Sequence, residues 1–188
     1  MDDKRKWLYI VLVIATFAVA TGCDSSSDDA NRIRMTLPDG WVQDYQMLEF
    51  AREGSEAESF YHEYVAGISI TPGFSDPSIS IVSAEAPQGI SVREIADVNI
   101  ADMERYGFEF VRRYSSSVAG YSAEVVIFDM SPPNPAPGVS YATESNTEVT
   151  FFVRQPRYYV VQCTAVYARS VAELDLCRDA VKTLEFYK

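Results

Sequence analysis

This 188-residue chain has only one histidine and three cysteines, and 16 basic residues against 27 acidic ones, and each shortage excludes something. The histidine, His62, sits in HEYVA, residues 62–66. A zinc-protease helix needs a second histidine where Ala66 stands, so that chemistry is ruled out. GISIT (67–71) and GYSAE (120–124) approach the nucleophile elbow Gly-x-Ser-x-Gly, but both lack its last glycine. No Cys-x-x-Cys, no phosphate-cradling Gly-x-x-x-x-Gly-Lys loop and no Gly-x-Gly-x-x-Gly turn occur. The sequence therefore points to no catalytic residue, no metal ligand set and no cofactor. Paired carboxylates add nothing, because 27 acidic residues supply pairs at any separation. A net charge of −11 and a pI near 4.5 make nucleic acid a poor partner.

Long apolar runs are scarce too. The one present extends from Trp7 to Ala20, interrupted only by Thr16, and follows the basic Lys4, Arg5 and Lys6. It is shorter than the about 20 residues a spanning helix needs. A basic start, a short apolar run and then small residues describe a secretory signal peptide. The small residues Ala20, Thr21 and Gly22 stand directly before Cys23, and this resembles a bacterial lipobox, with Ala20 in place of the usual leucine. The resemblance implies residues 1–22 as a lipoprotein signal peptide, cleavage before Cys23, and lipid on its sulfur. The alternatives are an ordinary signal peptide with an incidental cysteine, or an uncleaved anchor. Two or three acyl chains would hold an acidic domain that anionic head groups repel. Residues 23–32 then form a Ser/Asp-rich tether with no apolar periodicity, reaching roughly 18 Å. Asp24 resembles an inner-membrane retention signal of enteric bacteria, a rule that does not hold in every lineage.

Residues 33–188 suffice for one domain, and 47% hydrophobic residues with 13% aromatics suffice for its core. MTLPDGW (35–41) reads as a short strand closed by a Pro-Asp-Gly turn that returns Trp41 to the core. Met47–Arg52 reads as a strand, 53–58 is polar, and 59–64 is ambiguous between classes. Residues 67–71 read as a short strand. Residues 78–84 read as a better one, with Ile79, Ile81 and Ser83 on one side and Ser80 and Val82 on the other. Ser91 and Glu94 form a capping box ahead of a helix whose apolar face carries Val92, Ile95, Ala96, Asn99, Met103 and Tyr106, ended by Gly107. Strands follow at 108–115, 122–130, 147–154 and 158–167. A second capping box, Ser170-x-x-Glu173, opens a final helix with Val171, Leu174, Cys177, Val181 and Leu184 on one face. Strands joined by short turns favour antiparallel pairing. The expected fold class is α+β, an antiparallel sheet with helices packed on its faces.

LPDGW at 37–41 and this order of elements resemble the superfamily of the photosystem II extrinsic protein PsbP, which also includes DcrB-like envelope lipoproteins and a Ran-binding nuclear transport factor. The resemblance covers residues 33–188 and implies an antiparallel sheet between helical layers, an α/β/α sandwich. It implies no shared catalytic residues, because members of the superfamily bind quite different partners.

With Cys23 lipidated, Cys163 and Cys177 remain in an exported, oxidising compartment. Cys163 lies on the more apolar face of its strand and Cys177 on the apolar stripe of the last helix, so a disulfide is expected where the two pack; two buried free thiols are the alternative. The turn RQPR places Arg154 and Arg157 together as a basic spot in an acidic protein, a partner contact or a solvated turn. The Pro-rich segment 131–138 is a stiff crossover or a recognition edge. The functional expectation is a non-enzymatic envelope lipoprotein, extracytoplasmic, held to a membrane through lipid on Cys23 and acting on an unidentified envelope protein as a binding or assembly module. Its rivals are a small-molecule or metal-binding lipoprotein with a pocket between sheet and helix and, last, an enzyme.

Overall fold

The computed structural model describes residues 33–55, 60–68, 77–105, 108–129, 145–166 and 170–187. Cys23, the tether, Tyr106, Gly107, Met130, the 131–138 segment and Tyr167 lie outside them. The elements are β1 (Ile33–Arg34), β2 (Val42–Gln43), α1 (Tyr45–Ser55), β3 (Phe60–Gly67), β4 (Ser78–Glu85), α2 (Val92–Arg105), β5 (Glu109–Val118), β6 (Tyr121–Asp129), β7 (Ser145–Arg154), β8 (Arg157–Val166), α3 (Ser170–Lys182) and β9 (Glu185–Phe186). A seven-stranded sheet runs β2-β3-β4-β8-β7-β6-β5 and a two-stranded ribbon pairs β1 with β9. Every pairing is antiparallel. The fold class is α+β, as the pattern of elements implied.

Two apolar layers cover the sheet. On one face Ile79, Ile81, Phe152, Tyr159, Val161 and Cys163 pack against Leu174, Cys177, Ala180, Val181 and Leu184 of α3 and its C-terminal turn. On the other, Val126, Phe128, Val149 and Phe151 pack against Ile95, Ala96 and Met103 of α2. The period of two along the strands and of 3.6 along the helices brings these sets together. Ser91 caps α2 as expected: its hydroxyl accepts from the Glu94 N–H at 3.2 Å, and the Glu94 carboxylate accepts from the Ser91 N–H at 2.8 Å. Arg113 of β5 ties α2 to the sheet through Glu124 at 2.6 Å and Asp97 at 2.5 Å. A two-residue turn, Ala119–Gly120, joins β5 to β6 with φ of 51° and 82°; both residues occupy the left-handed region that tight hairpins require.

Several expectations are corrected. Met47–Arg52 is helical, part of α1. The Asp44 carboxylate accepts the Met47 N–H at 2.9 Å, an N-cap that the strand reading overlooked. Leu48 and Ala51, three apart, are buried on one helical face. The ambiguous 59–64 stretch is mostly β3, and Gly67 closes that strand instead of opening another. The first strand is 33–34 instead of 35–37, although Trp41 does return to the core at 7% exposure. Val171 is 73% exposed, and Ala180 takes its place on the apolar face of α3. The β9 strand after α3 had no counterpart in the sequence reading.

Candidate functional site

The site lies at the β7–β8 hairpin end of the face that α3 covers, beyond the β1–β9 ribbon. Arg154 and Arg157 stand directly opposite each other across the two-residue turn. By strand alternation their side chains share a face with Phe152, Tyr159 and Val161. Neither is a freely solvated turn residue. Arg157 donates from Nε to the Ser83 hydroxyl at 2.9 Å and from Nη2 to the Ser83 carbonyl at 3.3 Å. Arg154 lies over the Phe186 ring, 4.3 Å from its centroid. Burial disfavours the Arg154 charge, yet the nearby hydroxyl oxygens of Tyr159 and Tyr121 outweigh it and raise its pKa.

Behind the arginines is a buried carboxylate. Ser83, fully buried on the apolar side of β4, donates to Glu63 Oε1 at 2.5 Å. Glu63 is 8% exposed. Tyr61 pairs with Ser83, so alternation places Glu63, two residues on, on that face; a bulge follows, with His62 paired to Val82 and Tyr64 to Ile81, and it returns Tyr64 to the same face. Burial raises the Glu63 pKa, against the opposing hydrogen bond from Ser83 and the charges of Arg157, Arg52 and Arg154.

Arg52 enters from α1. Its Nε donates to the His62 carbonyl at 2.8 Å, and its guanidinium lies 4.7 Å from the centre of the Tyr61 ring. Arg157 lies 6.0 Å from the centre of the same ring. The charges of three guanidinium groups, from α1, β7 and β8, thus act on one carboxylate, and each lies near an aromatic ring. Beneath them Phe152 and Tyr159 stack and Phe186 meets both edge-on, with centroids 5.0–6.1 Å apart.

The sequence reading named Arg154 and Arg157 but missed Arg52, Tyr61, Glu63 and Ser83. One signal was available: Ser83 shares the inward side of its strand with Ile79 and Ile81, and a buried hydroxyl needs a partner. That partner comes from β3, and the hydrophobic pattern does not say which strand lies beside β4.

His62 stands on the other face from Ser83 by its pairing with Val82, and burial, then the Arg52 charge, lower its pKa. Among the described residues no group of three or more His, Cys, Asp or Glu is arranged to hold a metal ion. Among them, too, no helix is long and apolar enough to cross a membrane. Cys163 and Cys177 form a disulfide with Cα atoms 6.2 Å apart, at the packing surface of β8 and α3.

No family model matches the chain, and no curated protein matches it in sequence. Among solved structures, the chain is similar to LpqN of Mycobacterium tuberculosis, a protein involved in cell envelope biogenesis, with a TM-score of 0.53 at 12% identity over 83% of each chain. It is also similar to the cyanobacterial PsbP (CyanoP) of Synechocystis sp. PCC 6803, with a TM-score of 0.50 at 12% identity over 89% of this chain and 98% of that one. The fold is PsbP-like.

Proposed function

We propose that this chain is an envelope lipoprotein, anchored through Cys23, whose PsbP-like domain serves as a non-enzymatic binding or assembly module. The observation that carries the binding reading is the arginine–aromatic cluster around Glu63. Arginine and tyrosine are the side chains most enriched at energetic centres of interfaces. Here they are already oriented by rings and by Ser83, so little side-chain freedom is lost on binding. The similarity to LpqN, described as involved in cell envelope biogenesis, supports placement in the envelope, and so do the apolar run and Gly22-Cys23 of the sequence.

The test is crosslinked affinity capture of the full-length, membrane-attached chain from its native cells, beside an Arg154→Ala/Arg157→Ala variant of equal abundance. The expected result is a partner enriched by the wild type and lost from the variant. Identical capture by both proteins would remove the cluster from the binding surface.

A further inference from the structure

We propose that Arg52, Arg154 and Arg157 form a receptor for a tetrahedral oxyanion, a phosphate group carried by a ligand, with Glu63 as the counter-charge that holds the empty site in shape. The inference rests on the binding-module reading and names its ligand chemistry.

The first argument is electrostatic. Arg154 and Arg157 are cross-strand partners at the end of a hairpin, and like charges directly opposite each other on a sheet are destabilising. The chain keeps such a pair although it is acidic overall, at −11. Arg52 brings a third guanidinium from another element, onto the Tyr61 ring that Arg157 also faces. All three charges act on the Glu63 carboxylate.

The second argument is geometric. Stacking occupies the flat face of a guanidinium and leaves its N–H donors in the plane for other partners. Arg157 spends Nε and Nη2 on Ser83, and among the described residues Nη1 makes no hydrogen bond. Ser83 is in turn locked by Glu63, so the Arg157 fork is aimed before any ligand arrives. Arginine forks match the oxygen spacing of phosphate, and a half-buried rim strengthens each charge-assisted bond. Glu63 is buried beside this rim and balances its charge.

The experiment measures the melting temperature of the detergent-purified full chain during titration with sodium sulfate, against sodium chloride at matched ionic strength. Sulfate keeps its charge between pH 6 and 8, so the probe itself does not titrate. Sulfate is expected to raise the melting temperature saturably, and chloride is not. Arg157→Gln should weaken the sulfate affinity about tenfold or more. Arg157→Lys, which keeps the charge and loses the fork, should show an intermediate loss and covers the case in which the glutamine variant does not fold. Glu63→Gln should tighten binding by removing the repelling carboxylate. Arg112→Gln, on the distant edge strand β5, should bind as the wild type does. Parallel titrations with inorganic phosphate and with glycerophosphoglycerol distinguish a free phosphate from the phosphodiester of a lipid head group. Equal shifts with sulfate and chloride, or unchanged affinity in both Arg157 variants, would overturn the proposal. Such a result with partner capture still intact would leave the binding-module reading standing.

Discussion

Glu63 shows how much the surroundings of one carboxylate decide. Alternation from Tyr61, the register partner of Ser83, carries its side chain to the Ser83 face. There the carboxyl group is buried, accepts one short hydrogen bond and feels the charges of three guanidinium groups. Its folded-state pKa is raised, chiefly by burial. A carboxyl whose pKa is higher folded than unfolded stabilises the fold fully below the unfolded value, and that contribution is lost as pH rises through the folded value. At neutral pH the ionised Glu63 is therefore a net cost. Denaturant unfolding of the wild type and of Glu63→Gln should show the variant equal or more stable at pH 7. The wild type should gain on it as pH falls toward the ordinary carboxyl range near 4.5. A difference that stays flat across this window would contradict the raised value.

At the scale of elements, α3 is held to the sheet at two neighbouring points. Cys177 is bonded to Cys163, and Arg178 donates from Nε to Glu148 at 2.7 Å, Glu148 being the β7 residue paired with Cys163. Glu148 is 3% exposed, so the guanidinium replaces the water it lost. The Arg178 pKa is raised: burial opposes its charge, but the hydrogen bond and the charge of Glu148 outweigh that. A disulfide closing a 14-residue separation stabilises by about 3 kcal/mol in the chain-entropy model. Cys163→Ala/Cys177→Ala should lose roughly that amount in urea unfolding, with the ion pair keeping α3 docked and the far-ultraviolet dichroism near native. Loss of helical signal in the folded baseline would show instead that the covalent bond alone docks α3. The contrast between α2 and α1 belongs to this scale too. The α2 helix announced itself by a capping box and a clear apolar face. The α1 helix did not: its cap is Asp44, and only Leu48 and Ala51 mark its buried side.

For the whole molecule, the apolar run at 7–20 and Gly22-Cys23 are the grounds for the proposed lipid anchor, and the described residues carry the PsbP-like fold. A domain of this acidity gains nothing from an anionic membrane surface, so the proposed attachment would rest on acyl chains. Cys23→Ser should leave an unprocessed, unlipidated precursor, checked by metabolic labelling with a fatty acid and by the mass of the mature N-terminus. Normal processing and labelling in that variant would remove the lipid anchor from the account.

Local chemistry by itself determined the strands of the central hairpins, the cap and stripe of α2, the apolar faces that join Cys163 to Cys177, and the adjacency of Arg154 and Arg157. Each depends on spacing along a few neighbouring residues, where the periods of strand and helix act directly. Only the tertiary structure decided that Met47–Arg52 is helix, that β9 returns to pair with β1, and that Arg52, Glu63 and Ser83 meet the two hairpin arginines. The last two join residues far apart in the chain, as Ile33 is from Phe186, Ser83 from Glu63 and Arg157 from Ser83, through packing and strand pairing. A pattern read along the chain carries no information on which distant strand lies alongside, and it is that pairing which brings the site together.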